Sequence, residues 1–236
     1  IGYTAAHTMG FPVDEACVQA MNNAVAVLRA EGHEVSEVEL PYRKEDLTEA
    51  FLVVIAGELA GEIGVMSQYL GRKARASDME ASTYAFYLLG RSFSAADYTF
   101  AKHKWGEISR RIAVFHEKYD LLLTPTLAKR PISIGSLQPT AAEKRMITVV
   151  NTFGLGNAIK ATISSLADKI YDYMPWTPLA NLTGQPSMSV PFYRTPEENL
   201  PVGVMFTARL GEEDMLYRLA GQLEKAAPWA GEKVKM

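Results

Sequence analysis

The stretch that decides the fold reads WTPLANLTGQPSMSVP and occupies residues 176–191. Its apolar start leads into a predicted polar loop, in which Gly184 allows a positive φ and Pro186 fixes φ for the exit. Residues 187–190 then alternate polar and apolar, which is typical of a half-buried strand, and Pro191 ends the run of backbone donors. Polar groups exposed where two elements meet suit a pocket wall, and a sharp connection without a ligand fits the same spacing.

The composition indicates a globular protein built as one large domain. The 236 residues are 48% hydrophobic and 22% charged, which is enough apolar content for a sizeable core. A net charge of −3 argues against a mainly electrostatic nucleic-acid binder, because such a protein needs a basic face. The longest uninterrupted apolar runs, such as residues 51–56, are far too short to span a membrane. We therefore expect neither nucleic acid nor a membrane as a partner.

The thiol and imidazole side chains predict neither a disulfide nor a metal site. Cys17 is the only cysteine, which excludes a disulfide within these residues and fits the reducing cytoplasm. It falls on the apolar face of a predicted helix, so a buried, inert thiol is favoured over a nucleophile. His7, His33, His103 and His116 do not occur at metal-ligand spacing, and solvent-facing or structural roles are expected for them. No metal and no cofactor are expected.

The first 41 residues or so predict a βαβ unit. A short strand at residues 1–5 precedes Asp14, which can cap a helix reaching about Glu31. A second strand follows at residues 35–40, and this order and length favour a parallel pair with a right-handed crossover. The helix carries one apolar stripe, formed by Cys17, Met21, Ala24, Val25 and Leu28.

A helical region of about residues 44–119 comes next. Its first segment, residues 47–70, is mainly apolar and contains Gly57 and Gly61. A pair of glycines four residues apart permits tight helix contact, here in the core of a soluble protein.

Two further helices complete this region. Ser77 or Asp78 can cap the first of them, which reaches Leu89. The second covers residues 97–119 and has a single apolar face of Ala101, Trp105, Ile108, Ile112, Phe115 and Tyr119. A stripe at this spacing indicates core packing rather than a cofactor site.

The last segment, about residues 120–236, is expected to hold a central strand and the loops beside it. The run DLLLTPT at residues 120–126 is continuously apolar, as in a strand covered on both faces, and ends in Thr124 and Thr126. Ligands gather at the carboxyl ends of strands in open α/β sheets. Residues 131–138 read as a loop and residues 140–169 as interrupted helix. An apolar stripe at residues 215–223 predicts the last helix. Residues 231–236 are expected to form a frayed tail.

Several of these segments resemble the C-terminal part of the amidase signature family. The pattern Asn-x-x-Gly-x-Pro at residues 181–186, followed by Pro-Val-Gly-Val at residues 201–204, is similar to the family's hallmark. Residues 1–41 and 120–134 resemble its βαβ piece and the strand that passes close to the substrate pocket. The resemblance implies a single α/β fragment, residues 1–236, with a mixed, largely parallel sheet flanked by helices. It also implies hydrolysis of amide C–N bonds.

The family's mechanism uses a serine nucleophile, a second serine in a cis peptide and a lysine base within a Gly-Gly-Ser-Ser-Gly type of segment. No such segment occurs among the 236 residues. Ser164 and Ser165 with Lys169 are the nearest imitation, but they lack flanking glycines and adjacent serines in a helix point to different faces. We therefore expect no catalytic residue in this chain, and no activity from the chain alone.

Five residues match family positions that could touch the substrate. The resemblance implies that they shape the pocket and orient hydrogen bonds, while a purely structural role is equally open for each. They are Thr126, Leu127, Trp176, Thr177 and Asn181.

The resemblance leaves three identities open. The runs at residues 122–126 and 179–186 look most like stand-alone amidases, including enzymes similar to aminohexanoate cyclic-dimer hydrolase. The A subunit of glutamyl-tRNA amidotransferase and a non-catalytic binding module are the alternatives. The expected partners are a small-molecule amide and an N-terminal catalytic half, because the chain opens directly in a strand without an initiator Met. Apolar surface left uncovered by that half predicts self-association, as a homodimer or an aggregate.

Overall fold

The computed structural model describes residues 1–42, 44–138, 140–153 and 171–229. Contacts group them into two compact units. One unit comprises the described residues within 1–44, 108–134 and 171–229, and the other those within 45–107 and 135–153. The strands are β1 (Gly2–Tyr3), β2 (Ser36–Glu37), β3 (Leu121–Pro125), β4 (Ser187–Arg194) and β5 (Pro201–Ala208). The helices are α1 (Glu15–Ala30), α2 (Lys44–Tyr69), α3 (Ala81–Ser92), α4 (Ala95–Lys118), α5 (Ala141–Phe153), α6 (Thr177–Thr183) and α7 (Glu213–Ala226), with a 3-10 turn at Ala76–Asp78.

The first unit is built on a mixed five-stranded sheet in the order β2-β1-β3-β5-β4. Strand β1 pairs parallel with β2 and β3, whereas β5 pairs antiparallel with β3 and β4. All five residues of β3 are buried, as its continuous apolar run predicts for a central strand. The α/β class with a mixed sheet is confirmed, and the described strand pairs divide equally between parallel and antiparallel.

Helix α1 covers one face of this sheet and confirms the predicted βαβ unit. The Asp14 carboxylate accepts a hydrogen bond from the Ala16 N–H at 2.9 Å, which caps the helix, and Gly32 follows its end at φ +88°. The entire predicted stripe is buried in the core. On this face it packs with Leu121 and Leu123 of β3, Val204 and Phe206 of β5, and Leu216, Leu219 and Leu223 of α7.

The predicted polar loop after Trp176 is wrong, because residues 177–183 form helix α6. Pro178 lies in the first turn, where its missing N–H costs no hydrogen bond, and the buried side chains of Leu179 and Leu182 lie one turn apart. Gly184 ends the helix at φ +74°, as expected for a residue that must adopt positive φ. Strand β4 also continues past Pro191, through a register irregularity, to Arg194.

The second unit consists of helices. Ala56 of α2, Ala85 and Leu89 of α3 and Ile147 of α5 form one buried cluster, and Val53, Val54 and Ala101 form another. Gly57 makes the predicted close contact, since a Cβ there would lie 2.8 Å from the Tyr98 ring. Gly61 does not, because nothing lies within 4 Å of its Cβ position.

The predicted cap of α3 is wrong. The helix begins at Ala81, after Glu80, rather than at residues 77 or 78. The Asp78 carboxylate is already engaged by the Arg72 guanidinium at 2.7 Å and by the Arg75 N–H at 2.8 Å, so it closes the preceding 3-10 turn instead.

Helix α2 differs from the expectation about apolar runs. Its segment Asp46–Tyr69 is long and apolar enough to cross a membrane. The sequence contains no apolar run of that length, because Glu58 and Glu62 divide the segment. A single helix of this kind is weak grounds for a membrane location, because core helices pass the same test. Gly154, Gly156, Ser164, Ser165, Lys169 and the tail at residues 231–236 lie outside the described residues.

Candidate functional site

The candidate site lies at the carboxyl end of β3. The strand ends at Pro125, but the Thr126 N–H still donates to the Gly203 carbonyl of β5 at 3.1 Å. This bond holds Thr126 in line with the sheet, so its side chain has a defined direction. Because strand side chains alternate, Thr126 lies on the face opposite to Leu121 and Leu123, which point into the core under α1.

This second face of the sheet is rich in hydroxyl groups. The register places Ser187 opposite Thr207 and Ser189 opposite Met205, and Met205 opposite Thr124. The Ser187 and Thr207 hydroxyls are 2.8 Å apart, and those of Ser189 and Thr126 are 2.6 Å apart. The second pair reaches across β5, from β3 on one side to β4 on the other.

Gly203 provides the room for the second pair. A Cβ atom at this position would lie 2.6 Å from Ser189 Oγ and 3.0 Å from Thr126 Oγ1. A side chain there would force the two hydroxyls apart. The glycine is therefore required by a close side-chain approach and not by a turn.

Trp176 is the most buried of the five predicted substrate-side residues. Its side chain is 1% exposed, its Nε1–H donates to the Ala6 carbonyl at 3.2 Å, and its ring packs with Ala128 and Met205. Within the described residues Trp176 is thus a core residue, which packs against the segment after β3 and against β5. Its predicted role in shaping the substrate pocket stays a prediction.

The other four predicted residues divide between two elements. Thr126 and Leu127, both half-buried, follow β3, while Thr177 is half-buried and Asn181 exposed on α6. The Ala128 N–H donates to the Tyr173 carbonyl at 3.0 Å, which joins the segment after β3 to the segment before α6. The structure therefore brings both predicted segments to one end of the sheet, and substrate binding by these residues stays a prediction.

The loop after β1 belongs to the same region and was not predicted from the sequence. The Thr8 hydroxyl donates to the Pro175 carbonyl at 3.1 Å, and His7 Nε2 lies 3.4 Å from the Asp172 carbonyl. The His7 ring lies 6.0 Å from the Trp176 ring, centroid to centroid, and burial lowers the pKa of the imidazole. These contacts join residues more than 160 positions apart, so no local pattern could reveal them.

A cavity of about 600 Å³ opens beside this loop. Its walls carry His7, the exposed carboxylates Glu37 and Glu39, and Tyr42, whose pKa is raised by burial. Among the described residues that line it there is no serine or cysteine nucleophile. We therefore place the candidate site at the end of β3, where hydroxyl groups and the family-like segments meet.

His116 has a structural role. It is 2% exposed, its Nδ1–H donates to the Tyr119 carbonyl at 2.9 Å, and its Nε2 accepts from the Gln185 amide at 2.7 Å. The same Gln185 nitrogen donates to the Ala208 carbonyl at 2.7 Å. Burial lowers the pKa of His116, so the ring is neutral and joins the end of α4 to the stretch at residues 176–191.

Cys17 is the buried, inert thiol that the sequence predicts. The Cys17 side chain is fully buried, and burial raises the pKa of its thiol to about 12. No cluster of three or more His, Cys, Asp or Glu side chains suited to a metal ion occurs within residues 1–42, 44–138, 140–153 and 171–229.

Comparison with known proteins defines the class. The sequence model of the Amidase family matches residues 1–217, and the chain belongs to this family. The lipoamidase of Enterococcus faecalis is 31% identical over 230 residues, which cover 95% of this chain and 31% of the relative. The 6-aminohexanoate-cyclic-dimer hydrolase of Pseudomonas sp. (strain NK87) is 26% identical over 238 residues, which cover 96% of this chain and 43% of the relative.

A solved structure of 6-aminohexanoate cyclic dimer hydrolase has the same fold. Its TM-score is 0.73 at 24% identity, and the match covers 99% of this chain and 46% of that one. The chain thus spans less than half the length of these relatives. The family resemblance inferred from residues 181–186 and 201–204 is confirmed.

Proposed function

We propose that this chain is the C-terminal segment of an amidase that hydrolyses amide C–N bonds through a serine acyl-enzyme. The observation that carries the proposal is that the family match covers both segments that meet at the end of β3. The fold joins residues 126–128 to residues 173–176, which is what a shared pocket wall requires. By their names, one relative is a lipoamidase and the other hydrolyses a cyclic dimer of 6-aminohexanoate.

The chemistry divides between this chain and residues that it does not contain. A serine Oγ forms a bond to the amide carbonyl carbon, and a neutral lysine takes the hydroxyl proton. The C–N bond breaks as the amine leaves with a proton, and water then releases the acid from the acyl-enzyme. The 236 residues contain no Gly-Gly-Ser-Ser-Gly segment, so we assign none of these steps to them. Their contribution is to shape the pocket and orient the amide.

The substrate that we propose is a small-molecule amide, and the proposed location is the cytoplasm. Thr126, Leu127, Thr177 and Asn181 offer two hydroxyls, an amide and an apolar surface, without a charged group among them. Such a set suits a neutral ligand. A reduced, buried Cys17 is compatible with the cytoplasm.

The test compares two purified proteins. One is the 236-residue chain, and the other is the product of the gene at its full encoded length. Both are incubated with a panel of aliphatic and aryl amides, without any partner subunit, and the released amine or ammonia and the acid are quantified. We expect hydrolysis only from the full-length product. A quenched reaction should also show a mass increase equal to the acyl group on one serine.

Two results would contradict the proposal. Hydrolysis by the 236-residue chain alone would show that the catalytic groups lie within it. A full-length product that contains the glycine–serine segment but hydrolyses no amide would remove the amidase assignment.

A further inference from the structure

The hydroxyl pair at the end of β3 has unused hydrogen-bonding capacity. Thr126 Oγ1 and Ser189 Oγ are 2.6 Å apart, so one hydroxyl donates to the other. The accepting hydroxyl keeps its own proton, and both oxygens keep lone pairs. Within the described residues, neither side-chain oxygen makes another hydrogen bond.

The pair is also accessible. Ser189 is exposed and Thr126 is half-buried. The backbone under the pair is bare, because Gly203 carries no side chain where a Cβ would touch both hydroxyls. The exposed edge of the pair is at Ser189, so a ligand can reach the spare donor and the lone pairs from there.

The hydrogen bond within the pair makes the remaining proton a better donor. When one hydroxyl donates to another, the two groups change in different ways. The oxygen of the donating hydroxyl becomes a better acceptor, and the remaining O–H of the accepting hydroxyl becomes a better donor. The free O–H of the accepting residue is thus the stronger donor, and it suits a carbonyl oxygen. The lone pairs of the donating residue suit an amide N–H.

We propose that Thr126 and Ser189 together form a site that orients the carboxamide group of the substrate. Ser189 is the new residue in this assignment, because the family-like positions include only Thr126. The proposal rests on the amidase function proposed above. Ser189 acts by binding and by holding Thr126 in one rotamer, and no bond is made to it or broken at it.

The test uses the full-length gene product and the variant Ser189→Ala. The matched control is Ser187→Ala, which removes the neighbouring hydroxyl pair with Thr207 on the same strand and face. For the best amide of the panel, Ser189→Ala should lower kcat/KM about tenfold, which corresponds to one lost hydrogen bond. The loss should appear mainly in KM, because the contact is made in both ground and transition states. Ser187→Ala should stay within about twofold of the parent protein, and Ser189→Thr should restore most of the loss.

A second measurement separates this proposal from the proposed function. Hexanamide is titrated into a variant that lacks the nucleophilic serine, and its Kd is determined by calorimetry with and without Ser189→Ala. Selective weakening by Ser189→Ala, relative to Ser187→Ala, supports the site even if the parent protein hydrolyses no amide. Equal kcat/KM values and equal Kd values for the two alanine variants would overturn the site while leaving amide hydrolysis in place.

Discussion

Cys17 shows how burial sets the chemistry of a single residue. Its side chain is fully buried on the face of α1 that packs against the sheet. Burial raises the pKa of the thiol to about 12, because a thiolate in the core would lose its hydration. The thiol is therefore protonated and shielded near neutral pH.

We expect Cys17 to be unreactive in the folded chain and reactive in the unfolded chain. Labelling with a thiol-specific disulfide reagent, followed by peptide mapping, should show no modification of Cys17 in buffer and full modification in denaturant. Rapid labelling of Cys17 in buffer would show that α1 opens readily or that the thiol is exposed.

His116 makes stability depend on pH. Its pKa lies below the ordinary value of 6.5, because burial disfavours the imidazolium and the nearby Arg209 acts in the same direction. Hydrogen bonds to the backbone of Tyr119 and of Asp120, and the charge of Glu212, oppose the shift. The unfolded chain thus binds a proton at a higher pH than the folded chain does. Stability is fully present above about pH 6.5 and falls as the pH decreases from there towards the native pKa.

We expect the free energy of unfolding in urea to be lower at about pH 5 than at about pH 7.5. The variant His116→Gln should show a smaller difference between the two pH values. Part of the pH dependence should remain in this variant, because burial also lowers the pKa of His7. An unchanged difference in His116→Gln would mean that His116 takes no part in it.

At the scale of elements, the contact between α2 and α3 depends on one missing side chain. A Cβ at Gly90 of α3 would lie 1.9 Å from the Ala56 carbonyl oxygen and 2.9 Å from the Ala60 Cβ. The nearest atom belongs to the backbone of α2 and cannot rotate away. The helices can pack at this distance only because residue 90 is glycine.

We expect Gly90→Ala to destabilise the protein by about 2 kcal/mol or more, because the two helices must move apart. Gly61→Ala is the matched control in α2, since nothing lies within 4 Å of its Cβ position. That change should be neutral or stabilise by up to about 1 kcal/mol through helix propensity. Urea denaturation of both variants measures the difference, and equal stabilities would show that the close contact does not exist in solution.

At the scale of the whole molecule, the end of α2 presents apolar side chains to solvent. Val65 is 47% exposed, Met66 58%, Tyr69 87% and Leu70 54%. Their spacing places them on one side of the helix, so they form a continuous patch rather than scattered residues.

We expect the 236-residue chain to self-associate through this patch. Its average mass in light scattering should rise with concentration, and the double variant Val65→Lys, Met66→Lys should reduce the rise. Ile134→Lys is the control, because Ile134 is fully exposed but lies in a turn and not in α2. A constant monomer mass over a wide range of concentrations would contradict the prediction.

Local patterns predicted the elements whose burial is one-sided or complete. The stripe from Cys17 to Leu28 identified α1, and the apolar run at residues 121–123 identified the central strand. Alternation failed to identify α6, because its two buried leucines fit a short loop as well as one helical turn. The position of the α3 cap was predicted wrongly because the Asp78 carboxylate accepts a hydrogen bond from the Arg72 guanidinium. Capping propensities do not include such a side-chain contact.

By itself, the sequence determined the family, the βαβ unit and the two segments that flank the candidate site, because these depend on short motifs and on hydrophobic periodicity. Only the tertiary structure decided that Trp176 is a core residue, that the loop after β1 reaches residues 172–176, and that Ser189 meets Thr126 across Gly203. Each of these facts is a distance between atoms far apart in the chain. Such distances follow from strand register and packing, which no local pattern encodes.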